Sequence, residues 1–185
     1  LGQDTRGGDR MVDGYESAQQ QRNWLERLVE YIPGFKGYQD RELRRDVDRM
    51  QREHISKELG ALKASVRSRA RDYTDAGQIG VLHLFDRLDR KLDGLSQSIR
   101  FSDYGASGLF DVVKIYEDEL AKLYEFDVAF LDQVSALRSD LEAIPAPGAG
   151  DAESATATVR DRLESMVGRW AERKTMIGDI VKSSS

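Results

Sequence analysis

Residues Val112 to Ile144 read VVKIYEDELAKLYEFDVAFLDQVSALRSDLEAI, with an apolar side chain returning every three or four positions along the whole run. Strands place alternate residues on one face, whereas a helix places every third or fourth there, so this spacing predicts one long amphipathic helix. Its stripe is Val113, Tyr116, Leu120, Leu123, Asp127, Phe130, Val134, Leu137, Leu141 and Ile144. Nine of these ten are apolar, and the exception is Asp127.

Outward from that run the same period returns, interrupted by turn-forming residues. Pro145-Ala-Pro-Gly-Ala-Gly150 ends the helix, since proline cannot continue it and glycine frees the backbone to turn. A last helix is expected from about Ser154 to Lys182, on the stripe Val159, Leu163, Met166, Trp170, Ile177 and Ile180. On the N-terminal side, Arg100 to Asp111 is a Gly/Ser-rich loop with three aromatics before Asp111. Before it, Val81, Phe85, Leu88, Leu92, Leu95 and Ile99 alternate steps of four and three and predict a helix over 81–99. Asp75-Ala-Gly77 supplies a stop for the preceding helix, with Gly77 suited to the left-handed residue past a helix end. That helix is expected over 38–73, on Leu43, Val47, Met50, His54 or Ile55, Leu59, Leu62, Val66 and Tyr73. Its stripe slips by one residue near His54.

At the N-terminal end, Tyr31-Ile-Pro-Gly-Phe-Lys-Gly-Tyr38 forms a hinge. Pro33 disfavours helix at the residue before it, and two glycines let the chain reverse. A short amphipathic helix over Tyr15–Tyr31 precedes the hinge. Leu1 to Gly14 is expected to be a disordered tail or a cloning remnant, and Ser183 to Ser185 to fray. Short connections between long helices favour antiparallel neighbours. The expected fold is therefore all-α: an elongated antiparallel four-helix bundle over 15–182, with an additional short N-terminal amphipathic helix.

Composition narrows the chemistry. The chain has 185 residues, 33% charged and 39% hydrophobic, enough for one domain with a core. It has no cysteine, which removes disulfides, thiolate nucleophiles and cysteine zinc sites and fits a cytoplasmic location. No apolar run approaches the roughly 20 residues of a membrane span. A net charge of −5 argues against nucleic acid as a partner. There are two histidines, His54 and His83, and neither has a glutamate three residues before it, as a di-metal helical bundle requires. No metalloprotease, nucleophile-elbow or phosphate-loop motif occurs. No catalytic residue, metal or cofactor is expected.

Two features point beyond a plain bundle. A carboxylate in an apolar stripe must be paired or its burial is costly. The partners on offer for Asp127 are His54, where the stripe slips, and Arg173, between Trp170 and Ile177. His54, Asp127 and Arg173 are thus the candidate buried polar site. The second feature is an apolar and aromatic face formed by Trp24, Leu28, Ile32, Phe35 and Tyr38. It suits docking to a partner or to the interfacial level of a membrane, or it folds back as a lid on the bundle. Charge is also uneven: Arg41–Arg71 carries ten Lys/Arg and five Asp/Glu, while Asp103–Glu153 carries twelve Asp/Glu and three Lys/Arg. Complementary helices lying side by side account for that better than an anionic surface outside the molecule.

Three stretches together resemble a known family. Ile32 to Asp48 is similar to an IPGYxGYxxKExRRxxD opening, Ile99 to Asp111 to an IRYADYGYSGLFD loop, and Leu123 to Leu131 to an LYxYDxxLL segment. Together they resemble an uncharacterised family of bacterial and archaeal helical-bundle proteins whose members lie near genes for SPFH-domain (band-7) and phage-shock-like membrane-stress proteins. The resemblance covers most of residues 31–131. Phe35, Phe101 and Phe126 stand where the family pattern has Tyr, and Ala106 replaces a further Tyr, so the phenol hydroxyls are not carried over. The resemblance implies an accessory role in a membrane-associated assembly. The expected function is a non-enzymatic adaptor or scaffold for protein partners, among them an SPFH-type membrane protein, in the cytoplasm or peripheral to the inner face of the membrane. Self-association into a homo-oligomer is a further expectation. The competing expectation is a ligand- or pH-sensing, or enzymatic, bundle centred on Asp127 and the aromatic loop.

Overall fold

The computed structural model of the protein describes residues 41–102 and 117–183. Within them the chain forms four long helices: α1 (Arg41–Asp75), α2 (Leu82–Arg100), α3 (Glu117–Glu142) and α4 (Ala152–Ser183), with one 3-10 turn at Ile79–Val81. Among the described residues there is no strand. The expected helix over 15–31, the hinge over 31–38 and the loop from 103 to 111 lie outside the described residues, as does the start of the long helix before Glu117.

Each helix buries most of the described part of its expected stripe; Met50 and Val81 are only half-buried, and Leu43, Val47, Val113, Tyr116 and Leu120 are not among the side chains described. Phe85, Leu88, Leu92, Leu95 and Ile99 are buried on α2, and Phe130, Val134, Leu137 and Leu141 on α3. Val159, Leu163, Met166 and Trp170 face them from α4, and Ile55, Leu59, Leu62, Val66 and Tyr73 from α1. Tilted ring pairs brace the core at Tyr73–Phe85, with centroids 5.2 Å apart, and Phe130–Trp170, at 5.3 Å.

The helices are arranged as two antiparallel hairpins. In the first, Ser56 meets Ser96 and Lys63 meets Asp93; in the second, Phe130 meets Trp170 and Asp140 meets Arg162. The hairpins then stack with α1 beside α3 and α2 beside α4, each running in the same direction as its neighbour. Glu58–Arg138 and Tyr73–Pro145 mark the first of these sides, and Lys91–Glu164 the second. Both hairpin turns therefore fall at one end. There Gly77 adopts φ 72° and Gly148 φ 79°, and the Tyr73 hydroxyl donates to the Pro145 carbonyl at 2.9 Å, tying one turn to the other. Asp151 caps α4 by accepting the Ser154 amide at 3.1 Å, so the helix begins at Ala152, slightly before the expected start.

At the opposite end α1 begins, α2 ends, α3 begins and α4 ends. The lengths do not match there. α1 has 35 residues and α2 only 19, roughly 52 Å against 28 Å. Because Arg52 already touches the last residue of α2, everything in α1 before it lies beyond the end of α2. At this end the bundle has three described helices where its middle has four.

Candidate functional site

All the buried polar residues among those described, Thr156 apart, gather at that transition. Asp48, Gln51 and Arg52 of α1, Asp127 of α3 and Arg173 of α4 are all buried. Arg173 lies diagonally across the bundle from α1. Its Nε donates to Asp127 Oδ1 at 2.6 Å, and its Nη2 donates both to Asp127 Oδ2 at 2.9 Å and to Asp48 Oδ1 at 2.8 Å. Arg52 Nε donates to the other oxygen of Asp48 at 2.8 Å, and its Nη1 to the Arg100 carbonyl at 3.2 Å. Two guanidinium groups thus neutralise two carboxylates, and all four carboxylate oxygens accept a hydrogen bond. The fork of Arg173 matches the Asp127 carboxylate bidentately, the strongest form of this contact. Its guanidinium also lies 5.0 Å from the centre of the Trp170 ring.

Arg52 has a second role. The last carbonyls of a helix have no partner within it and carry the negative end of its dipole. A buried cation donated from α1 to Arg100 satisfies one of them, so the network also closes the end of α2.

The electrostatics follow from burial. Burial pushes the Asp127 carboxyl above its ordinary value of 3.8, against the charge and hydrogen bonds of Arg173, while Asp48 nearby adds to the rise. Burial alone would lower Arg173, but Asp127 and Asp48 more than reverse that, and the guanidinium stays charged. The Gln51 amide beside Asp127 favours its charged form slightly, yet neither Gln51 Nε2 nor Oε1 makes a hydrogen bond of normal geometry. Gln51 is 1% exposed, so both atoms have given up water without a replacement.

Of the expected trio, Asp127 and Arg173 are brought together and His54 is not. His54 is half-buried on α1 and takes no part in the network. Asp48, Gln51 and Arg52 are the members that sequence reasoning missed. The slip near His54 was their signal: from Ile55 the buried face continues through Arg52, Gln51 and Asp48 at helical spacing, but in polar side chains. Trp24, Leu28, Ile32, Phe35 and Tyr38, the expected docking face, lie outside the described residues. Among the described residues no helix is long and apolar enough to cross a membrane, and no group of three or more His, Asp and Glu side chains converges as a metal would need.

A groove opens beside the network, between residues 49–57 of α1 and the end of α2. It encloses about 520 Å³ and is lined by Arg49, Lys57 and Arg100 around the edge of Arg52, with Glu53 and Phe101. Phe101, directly after α2, is 69% exposed, unusual for a ring of that size, and the Arg100 guanidinium lies 5.8 Å from its centre. No protein-family model, curated protein or solved structure matches this chain.

Proposed function

We propose that the protein is a non-enzymatic adaptor or scaffold that holds a protein partner at the end of the bundle where α2 stops. The observation that carries this reading is an asymmetry between the two ends. The turn end is closed by the Tyr73–Pro145 bond and two tight turns. The opposite end carries an exposed aromatic, Phe101, and a cationic groove. It is also the end from which the chain leaves toward both stretches that sequence reading singles out, the hinge before α1 and the aromatic loop after Phe101. The family resemblance adds a setting: a stress-response assembly at the inner face of the cytoplasmic membrane, with an SPFH-type protein as partner and peripheral membrane contact through Trp24, Leu28 and Ile32.

A ligand- or pH-sensing, or enzymatic, bundle centred on Asp127 is the competing reading, and the unpartnered Gln51 is the observation in its favour. Against it, every oxygen of Asp127 and Asp48 is engaged by an arginine, which leaves no free base or ligand atom. A buried, mutually satisfied ion cluster is better suited to fixing helix register than to chemistry.

A photo-crosslinking residue placed at Phe101, or at the equally exposed Ile79 near the opposite end, tests the adaptor reading in cells. The expected result is a crosslinked protein from position 101 and none from 79; adducts only from 79, or from neither, overturn it. Liposome flotation with and without residues 11–33 tests the membrane setting. Loss of flotation on deletion is expected, and failure of both chains to float removes membrane contact.

A further inference from the structure

We infer that the groove between α1 and the end of α2 takes an acidic segment of the partner protein, one that sets an apolar side chain against Phe101. The inference rests on the adaptor reading and adds the chemistry of the partner.

Elsewhere along the bundle cations of α1 are held in ion pairs. Lys63 bonds Asp93 and lies 3.8 Å from Asp89, and Arg67 bonds Asp89 at 2.6 Å, all from α1 to α2. The other sides of the bundle repeat the pattern: Arg138 with Glu58, Arg162 with Asp140, and Lys91 with Glu164 at 2.8 Å. Each helix thus meets opposite charges on its neighbours along the middle of the molecule, whichever of the pair carries the cation. At the groove that complementarity stops. Lys57 and Arg100 make no ion pair among the described residues, and the one carboxylate in the lining is Glu53. A chain of net charge −5 therefore keeps a local excess of positive charge beside Phe101, the most exposed aromatic side chain among the described residues. Charges left over after internal pairing steer an oppositely charged partner and set its register.

The shape selects among anions. The groove lies between two helices and has Ser56 and Ser96 in its lining, with Ser56 Oγ donating to the Ser96 carbonyl at 3.4 Å. A flat bilayer cannot enter such a groove, whereas a single polypeptide segment can. A long polyanion such as nucleic acid meets the repulsion of the acidic remainder of the molecule, while a short acidic segment falls within the ~8 Å over which physiological salt lets charges act. Phe101 then gives the apolar contact that charge alone lacks.

The test is fluorescence anisotropy on the full chain. The probe is a fluorescein-labelled Glu-rich peptide with one central Leu, and the same peptide with Gln for Glu serves as its neutral counterpart. Inorganic phosphate and phosphatidylglycerol vesicles are added as competitors. The Glu peptide is expected to bind, more weakly as salt rises, and the Gln peptide is not. The double variant Lys57→Glu/Arg100→Glu is expected to lose about tenfold or more in affinity, because reversing charges at a rim turns attraction into repulsion. Arg71→Glu/Arg87→Glu, the same change at exposed sites toward the turn end, should shift binding less than about twofold once screened by salt. Unchanged helical circular dichroism and melting temperature show that both double variants fold. Equal losses in the two variants, equal binding of the Gln peptide, or displacement by phosphate or vesicles as effective as by unlabelled Glu peptide would each overturn the inference. So would light scattering that reveals self-association abolished by Lys57→Glu/Arg100→Glu, since the occupant would then be a second copy. The two readings fail separately. If crosslinking at Phe101 persists in that variant, the acidic segment is wrong and the adaptor stands; if wild type gives no crosslink, the adaptor itself falls.

Discussion

Arg173 is the residue on which the end of the bundle turns, because it is the only described side chain that bonds α3 and α1 from α4. Removing its partner leaves a buried cation half-compensated. Asp127→Ala should therefore cost about 3–5 kcal/mol, read by denaturant unfolding; a loss under about 1 kcal/mol would mean that water reaches the site. The pH dependence has a definite sign. A carboxyl whose pKa is raised on folding binds its proton more tightly in the native state. Its contribution to stability is then fully present below its ordinary value of 3.8 and is lost as pH rises through the raised native value. The stability of wild type relative to Asp127→Asn should accordingly increase as pH falls from 7 toward 4. An advantage that shrinks over that range would show the carboxyl to be depressed instead. Gln51 gives a prediction of opposite sense. Both its amide atoms are buried without partners, at a cost of roughly 1–3 kcal/mol for each such group, and methionine has nearly its shape. Gln51→Met should raise the melting temperature by a few degrees. A fall would mean that the amide holds a partner, and would revive the ligand-sensing reading.

The elements are held in place by their ends as much as by their stripes. Tyr73 closes the turn end by one bond from α1 to the loop between α3 and α4. Tyr73→Phe keeps the ring against Phe85 and loses only the hydroxyl, so it should cost about 1 kcal/mol. Gly77 stops α1 at φ 72°, where a side chain meets its own backbone. Gly77→Ala should cost about 1–2 kcal/mol, although nothing lies within 4 Å of the added methyl. A neutral Gly77→Ala would show the turn free to rearrange. The helix elements themselves were legible from periodicity because each buries one face, and burial is what the stripe records. The slip near His54 was legible as an irregularity but not as a site. A pattern of apolar residues cannot register a buried face made of Asp48, Gln51 and Arg52.

At the scale of the whole molecule the bundle is uneven along its axis. From Ile55 to Tyr73 on α1, and across the facing parts of the other helices, the core is continuous and almost wholly apolar, interrupted near the turn end by the hydroxyl of Thr156. At the end of α2 it is interrupted by a polar cluster, past which three described helices bury a smaller apolar group that includes Leu123, Ile177 and Ile180. Local opening is cheapest where few apolar contacts are lost. Amide exchange should therefore be slowest over 59–66, 88–95, 130–141 and 159–170, and faster over 41–50 and 174–183. Uniform protection would mean that the polar end is as firmly closed as the turn end.

The sequence by itself determined that the chain is helical, where its helices turn, and that Asp127 and Arg173 stand in apolar stripes. Each of these depends on residues a few positions apart. The tertiary structure decided what depends on residues far apart in the chain. It set α1 beside α3 rather than across from it, and chose Arg173 over His54 as the partner of Asp127. It also joined Asp48 and Arg52 to that pair and left Lys57 and Arg100 without an ion pair among the described residues, beside an exposed Phe101. The reason lies in the length of α2. Where that helix ends, α1 and α4 come within reach of one guanidinium across the diagonal, and the charges that their neighbours neutralise elsewhere meet no described counterpart.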